Sequence, residues 1–396
     1  MSIDVFTLSA LVDEFMDHLV GGRVQDSVSI DSTSLGLEIY ANHRRQYLLL
    51  SADSLQPRVH LVSDKLRRGM ERPSQLGLLI RSHVEGGSIV HVSQPPWERV
   101  LHIEIDGPEG LVTLIVEPME RRSNLLLVKD GIILDCIRRV GPDENRYRVS
   151  LPAHAYAPPP PQTGKLDPFG LTLESLAGII AQNEDPKRKA HQVMTSRLLG
   201  ISPLLAREMV SRAGSPPEAL PSQVTVSALY EAFTASLKPM KQRDWSPGIV
   251  ERDGMVTAFS PYVITGQPGW RSMPSMSEAM AAFYGAPVGD EAYEAAKQPV
   301  REAIAATRTR LETKLASLKR SMTDDSERER MRQSGELILA YQYAVQPGQT
   351  ELRAPYEVDA PDLVILSTPS SHRWKTPSAI STATTAPSGR WTMCRS

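Results

Sequence analysis

Apolar positions follow two periods along this chain. Over 6–20, Leu8, Leu11, Val12, Phe15, Met16 and Leu19 step by three or four, which predicts a helix ended by Gly21-Gly22. Alternation then takes over: 35–40 and 46–51 read as paired strands around the polar turn 42–45, and 57–61 as an extended piece. A short helix over 74–84 stops at Gly86-Gly87, and strands are expected over 88–92, 100–105, 112–116, 125–129 and 132–138. Helices and strands kept apart in this way predict one α+β domain over 1–160.

Four consecutive prolines, Pro158 to Pro161, form a stiff spacer and mark its edge. A helical region over 161–240 follows. Within it, 185–214 reads as a helix-hairpin-helix, where Gly200 permits the turn in Leu-Gly-Ile-Ser-Pro and Ser202-Pro203 caps the second helix. Such a turn can offer backbone N–H groups to a phosphate, and it can equally be a plain helix connection. Strand-like patterning over 241–285 reads as a β-rich return segment of the first domain. Over 286–348 a helical arm is expected, with Val300, Ile304, Thr307, Leu311, Leu315, Leu318 and Met322 lining one side as half of an antiparallel coiled coil, and a second helical stretch over 327–344. A strand-like tip occupies 349–366. Residues 367–396 contain no acidic side chain, and about half are Ser, Thr or Pro, a composition that predicts disorder. Read one base out of frame, the same stretch encodes a charged amphipathic helix. A frameshift near Leu366 that replaced the return arm is therefore expected, and resequencing there would check it.

Composition narrows the chemistry. The 396 residues carry a net charge of −2, with 41% hydrophobic and 23% charged residues, as in an ordinary globular protein of two or three domains. That balance excludes a uniformly basic coat and leaves room for local patches at Arg67-Arg68, Arg121-Arg122 and Arg138-Arg139. The two cysteines, Cys136 and Cys394, cannot build a disulfide framework or a cysteine-rich zinc site, which points to a reducing cytoplasm. The first residues read neither as a signal peptide nor as a membrane anchor. Phosphate-loop, His-Glu-x-x-His and Gly-x-Ser-x-Gly signatures are missing, so no catalytic residue, metal or cofactor is assigned.

The densest chemistry lies just before the strand at 125–129, where Glu117, Glu120, Arg121, Arg122, Ser123 and Asn124 cluster, and about twenty residues upstream Glu98-Arg99 opens the preceding strand. Guanidinium, hydroxyl and amide groups at a strand entrance suit phosphate and ribose contacts, so the chain reads as an RNA handler. The competing reading makes Arg99 a surface ion pair and Asn124 a side chain that satisfies local backbone. Arg58 with His60, and Arg81 with His83, are secondary RNA-contact candidates along with Gly200 and Ser202. The two histidines lack a second ligand at metal spacing and suit packing better.

Collinear motifs add a resemblance. They are Leu-Val-Gly-Gly-Arg (19–23), Pro-Arg-Val-His-Leu (57–61), Leu-Leu-Ile-Arg-Ser-His-Val-Glu-Gly-Gly (78–87), Arg-Arg-Ser-Asn-Leu-Leu-Leu-Val (121–128), Gly-Ile-Ser-Pro-Leu-Leu-Ala-Arg-Glu (200–208) and Gly-Glu-Leu-Ile-Leu-Ala-Tyr (335–341). In this order they resemble the NFACT family, also known by its fibronectin-binding protein A N-terminal domain, and the out-of-frame tail matches that family's Pro-x-Glu-Asn-Ala-Gln-x-Tyr-Phe signature. The resemblance implies an NFACT-N domain with an embedded helix-hairpin-helix, then a coiled-coil arm that here lacks its return helix and the basic domain beyond it. It also implies ribosome-associated quality control. The partners would be the large ribosomal subunit, peptidyl-tRNA, alanyl-tRNA for template-free C-terminal tailing, and a small S4-like RNA-binding protein. Peptide bonds would be made by the ribosome, so the chain is expected to be a positioning factor and no enzyme. The family's Asp-Arg pair for tRNA handling falls on Glu98-Arg99, and a family glycine is replaced by Glu120. A chain shortened in this way is expected to be partly or wholly inactive. The alternatives are a DNA glycosylase/lyase-like enzyme, a fibronectin-binding adhesin and a bare coiled-coil scaffold. The glycosylase reading lacks an N-terminal proline nucleophile and a zinc finger, and the adhesin reading lacks an export signal. DNA and membrane partners are not expected.

Overall fold

Asp4 starts the first helix by accepting the Thr7 N–H at 2.8 Å, and α1 (Val5–Leu19) buries Leu8, Leu11, Phe15 and Leu19 along one side. The structure, a computed structural model, describes residues 3–366 apart from 71, 184, 286–289, 347–348 and 358–360, with backbone alone in 290–300 and 320–324. It divides into two units, 1–299 and 300–396.

After α1 the chain reverses at Gly22, where a Cβ would lie 2.6 Å from that of Ala41. There follow β1 (Arg23–Ser29), β2 (Ser34–Ala41), β3 (Arg44–Ser51), β4 (Arg58–Val62), α2 (Gln75–His83), β5 (Ser88–Ser93), β6 (Leu101–Gly107), β7 (Gly110–Glu117), β8 (Asn124–Lys129) and β9 (Ile132–Cys136). The strand β1 had no clear sequence signal because two of its buried residues, Ser27 and Ser29, are polar; Glu85 satisfies Ser27 by accepting its N–H at 2.9 Å and its hydroxyl at 2.6 Å. The β2–β3 turn is tighter than expected. Asn42 and His43 both take positive φ, and Arg44 and Arg45 already belong to β3.

The nine strands form one antiparallel sheet in the order β4-β3-β2-β1-β5-β6-β7-β8-β9. A single pair, Arg23↔Ser88, joins β1 to β5, and β3 touches β8 across the fold, so the sheet turns back on itself at that joint. Leu37, Ile39, Leu48, Leu50, Leu114 and Leu127 fill the space enclosed.

A second core gathers the helices α3 (Leu173–Ala181), α4 (Ala190–Arg197), α5 (Pro203–Arg212) and α6 (Val226–Lys241) around Leu205, Met209 and Phe233. Buried Glu208 of α5 accepts the Thr265 N–H at 2.8 Å and the Gly266 N–H at 2.9 Å, tying the helices to the returning chain. That return segment is less β-rich than expected. It holds β10 (Gly248–Arg252), β11 (Met255–Ser260) and β12 (Trp270–Ser272), but its last part is a helix, α7 (Met276–Tyr284). Met276, Ala279 and Met280 recur at helical spacing and are buried, which favours helix there. Ser277 closes the return by accepting the Leu61 N–H of β4 at 2.9 Å.

The arm is one continuous helix, α8 (Asp290–Ala340), where two stretches were expected. Within it Ile304, Leu311, Leu315 and Leu318 are exposed. The tip is a hairpin of β13 (Glu351–Ala354) and β14 (Leu363–Leu366), with Glu351 opposite Leu366. The expected disorder and frameshift over 367–396 lie outside the described residues.

Glu117, the last residue of β7, is 1% exposed, accepts two bonds from the Arg148 guanidinium, one of them at 2.9 Å, and takes the Tyr156 hydroxyl at 3.0 Å. This closed set anchors the segment after β9. Glu117→Ala would strand the Arg148 charge, so a loss of about 3–5 kcal/mol is expected as a lower midpoint in urea unfolding. An unchanged midpoint would remove the pair from the framework.

Candidate nucleic-acid interface

The antiparallel register brings the two parts of the polar cluster together. Leu101 of β6 lies opposite Val116 of β7, and Glu117 opposite Asn124 of β8, so the loop before β6 and the connection after β7 share one end of the sheet. There the Arg99 guanidinium stands 3.8 Å from the Glu120 carboxylate, with the side chains 33% and 50% exposed. Glu120, Arg121 and Arg122 form a 3-10 turn, and Glu120 holds φ +49, a left-handed conformation that a glycine adopts at less cost. Arg121 and Arg122 are exposed. The Arg138 guanidinium donates to the Arg121 carbonyl, which adds a third arginine at this turn.

Glu98 and Arg99 sit in the loop that precedes β6 and do not begin the strand themselves, which starts at Leu101. Burial raises the Glu98 carboxyl above its ordinary range, opposed by the Arg99 charge and by a bond from Gln162. The Gln94 amide donates to the carbonyls of Glu98 (2.8 Å) and Val5 (3.1 Å) and accepts the Ser9 hydroxyl at 2.6 Å, so α1 also holds this loop. Lys165 is a cation that sequence reasoning missed. Burial, and then the neighbouring charge of Arg99, lowers its ammonium pKa. It lies 66 positions from Arg99 along the chain, beyond the proline run, so no local pattern links the two.

Several candidates turn inward and are corrected. Ser123 is buried, and its hydroxyl accepts the Met119 N–H at 2.9 Å. Asn124 is buried too. Its amide donates to the Arg138 carbonyl at 2.8 Å and its oxygen accepts the N–H groups of Arg138 and Leu125, so it pins β8 to the end of β9 and has no face left for RNA. His60 is 2% exposed, stacks on Tyr284 at 6.4 Å and binds the Leu61 carbonyl through Nδ1 at 2.9 Å. Arg58 lies over the same Tyr284 ring at 5.1 Å, and burial lowers its pKa. His83 is buried with its ring nitrogen 3.1 Å from Glu109, while exposed Arg81 lies 3.7 Å from Glu85. Ser202 spends its hydroxyl on the Leu205 N–H as the cap of α5. Gly200 faces an indole: a Cβ there would lie 2.8 Å from the Trp97 ring.

What remains on the surface at the 120–122 turn is Arg99, Arg121, Arg122 and Arg138, with half-buried Lys165 near Arg99, countered by Glu98 and Glu120; exposed Arg81 lies on α2, paired with Glu85. Forked donors on this scale suit a phosphodiester backbone. Among the described residues no group of His, Cys, Asp and Glu could hold a metal ion, and no helix is long and apolar enough to cross a membrane.

Comparison with known proteins agrees with this architecture. Residues 4–365 match the NFACT N-terminal and middle domains, and the chain belongs to that family. Among curated relatives, the Rqc2 homolog RqcH of Bacillus subtilis (strain 168) is 26% identical over 387 residues, 96% of this chain and 65% of the relative. The protein of the same name from Streptococcus pneumoniae (strain ATCC BAA-255 / R6) is 26% identical over 89% of this chain and 60% of its own length. The chain therefore spans less than two-thirds of these relatives. Two solved structures share the fold. They are the fibrinogen-binding protein from Staphylococcus aureus (TM-score 0.59, 24% identity, 72% of this chain and 100% of that one) and the N-terminal part of the fibronectin/fibrinogen-binding protein from Streptococcus suis (0.56, 23%, 72% and 99%).

Burial pushes the His60 imidazole down from 6.5 to about 4, against the opposing bond to the Leu61 carbonyl. A depressed pKa makes the neutral ring a stabilising feature above pH 6.5, and that contribution is lost as pH falls through 4. Wild type is expected to lose about 3 kcal/mol more than His60→Phe across that window. Parallel unfolding curves of the two proteins with pH would refute it.

Proposed function

We propose that this chain is a ribosome-associated quality-control factor that acts in the cytoplasm. In this reading it binds stalled large ribosomal subunits that still carry peptidyl-tRNA and recruits alanyl-tRNA for template-free C-terminal tailing of the nascent chain. The observation that carries the reading is the placing of Arg99 beside the 120–122 turn, where two loops distant in sequence present guanidinium groups on one surface. The matched relatives, named Rqc2 homolog RqcH, support the ribosomal context. Tailing with an S4-like partner is part of the same proposal, made for a chain that spans 60–65% of the length of those relatives.

The chemistry asked of the chain is positional. Peptide bonds would form at the peptidyl transferase centre, and the protein would hold tRNA by its phosphates, a contact that needs charge and geometry but no nucleophile. Arg99, Arg121 and Arg122 would supply those contacts, and Arg138 and Lys165 would raise the local potential. Glu120 tempers the site. A phosphate that reaches Arg99 must displace a half-exposed carboxylate, whose pairing contributes about 0–1 kcal/mol.

Two experiments test this. Co-sedimentation with large ribosomal subunits should be sensitive to RNase and to salt, and RNase-indifferent binding would overturn the reading. Arg99→Ala should lower the slope of log affinity for tRNA against log salt by about one, with Arg121→Ala/Arg122→Ala lowering it by about two. Unchanged slopes would reject the assigned contacts. Glu120→Gly removes both the competing carboxylate and a left-handed side chain. It should tighten tRNA binding about two- to fivefold and raise the melting temperature together; weaker binding would show that Glu120 assists Arg99.

A further inference from the structure

Trp97 has no part in the polar cluster, yet it immediately precedes Glu98 and takes φ +61, unusual for a large side chain. Its indole explains the conformation. The ring meets Phe6 edge-on at 6.1 Å and Phe169 at 5.0 Å, and rests against Gly200, where a Cβ would stand 2.8 Å from one ring carbon and 3.0 Å from the next. Gly200 itself has φ +66, so the α4–α5 connection supplies a bare backbone seat that no side chain could share. The same connection is stapled to the linker that carries Phe169. The Leu166 N–H donates to the Arg197 carbonyl at 2.8 Å, and the Leu199 N–H to the Leu166 carbonyl at 3.0 Å. That linker also carries Lys165, next to Arg99, and Gln162, whose amide lies 3.4 Å from the Trp97 carbonyl.

We propose that Trp97 is a positioning residue through which the α4–α5 turn and its linker set Arg99 against the 120–122 turn. The part given to Gly200 changes accordingly: it seats an indole and does not cradle a phosphate. A single residue, Glu98, separates Trp97 from Arg99, and Gln94 fixes its carbonyl, so a shift of the ring carries directly into Arg99. Anything that displaces the helical region would loosen Arg99 without touching it.

The binding arm of the test rests on the tRNA reading above, and a second arm does not. Full-length Trp97→Ala, Trp97→Phe, Gly200→Ala, Arg99→Ala and Trp97→Ala/Arg99→Ala would be compared by titration with labelled, uncharged tRNA over a range of salt. Trp97→Ala should lower the salt slope by about one and weaken binding about fivefold at 0.15 M salt, as Arg99→Ala does. The double variant should bind no more weakly than Arg99→Ala, and Trp97→Phe should restore most of the slope. A full slope in Trp97→Ala, or multiplicative losses in the double variant, overturns the proposal. Hydrogen exchange supplies the independent arm. In Trp97→Ala the amides of 98–100 and 120–123 should exchange faster while those of β2 and β3 stay protected, and unchanged exchange at 98–100 and 120–123 also overturns it. If Trp97→Ala loosens the whole fold, Gly200→Ala decides, because it pushes the ring without removing it: the same slope loss supports the coupling and a wild-type slope ends it. Wild type that fails to bind tRNA would refute the function proposed above, and exchange would still decide the coupling.

Discussion

The register of β6, β7 and β8 is the constraint on which the candidate site depends. Leu101↔Val116 and Glu117↔Asn124 are fixed by alternation, since a slip of one residue would turn Ile103, Leu114 and Leu127 out of the core. With that register set, the loop before β6 and the connection after β7 meet at one end of the sheet. Arg99 and the 120–122 turn are neighbours because the apolar interior leaves the strands no other alignment.

The cluster that looked uniform in sequence divides at that rim. Glu117, Ser123 and Asn124 face inward and use their polar atoms to fasten the segment after β9, the turn and the β8–β9 pair. Glu120, Arg121 and Arg122 face outward. The inner three hold the outer three in place, since a turn with a left-handed residue survives only where its surroundings are closed around it. Deleting an inner residue would therefore cost stability, and deleting an outer one would cost charge.

How much of this was legible depends on what each residue signals locally. The helix α1 was plain because its apolar residues repeat without interruption. The strand β1 was hidden, because Ser27 is buried through its bonds to Glu85, a residue 58 positions away. Arg99 and Arg121 could be picked as surface chemistry from residue type alone, but Lys165 and Trp97 could not. Lys165 reaches the site through the linker, and Trp97 packs with Phe169 against the helical core, its ring resting on Gly200, far along the chain from the strands. His60 misled in the opposite direction. It stood with Arg58 among the secondary RNA-contact candidates, and α7, arriving from more than 200 residues on, covers both with Tyr284.

Positions 98 and 120 bear on each other. Both carry Glu, one on each side of the Arg99 guanidinium. Glu120 holds a left-handed backbone that a glycine would adopt at less cost, so its φ marks a constraint that the surrounding fold imposes on the turn. At 98 the side chain is partly buried and bonded by Gln162, and burial raises its carboxyl pKa against the opposing charge of Arg99. Glu120 brings a carboxylate to the same guanidinium from across the loops, at 3.8 Å. Arg99 is thus paired by a contact loose and exposed enough for the phosphate of the proposed tRNA to replace.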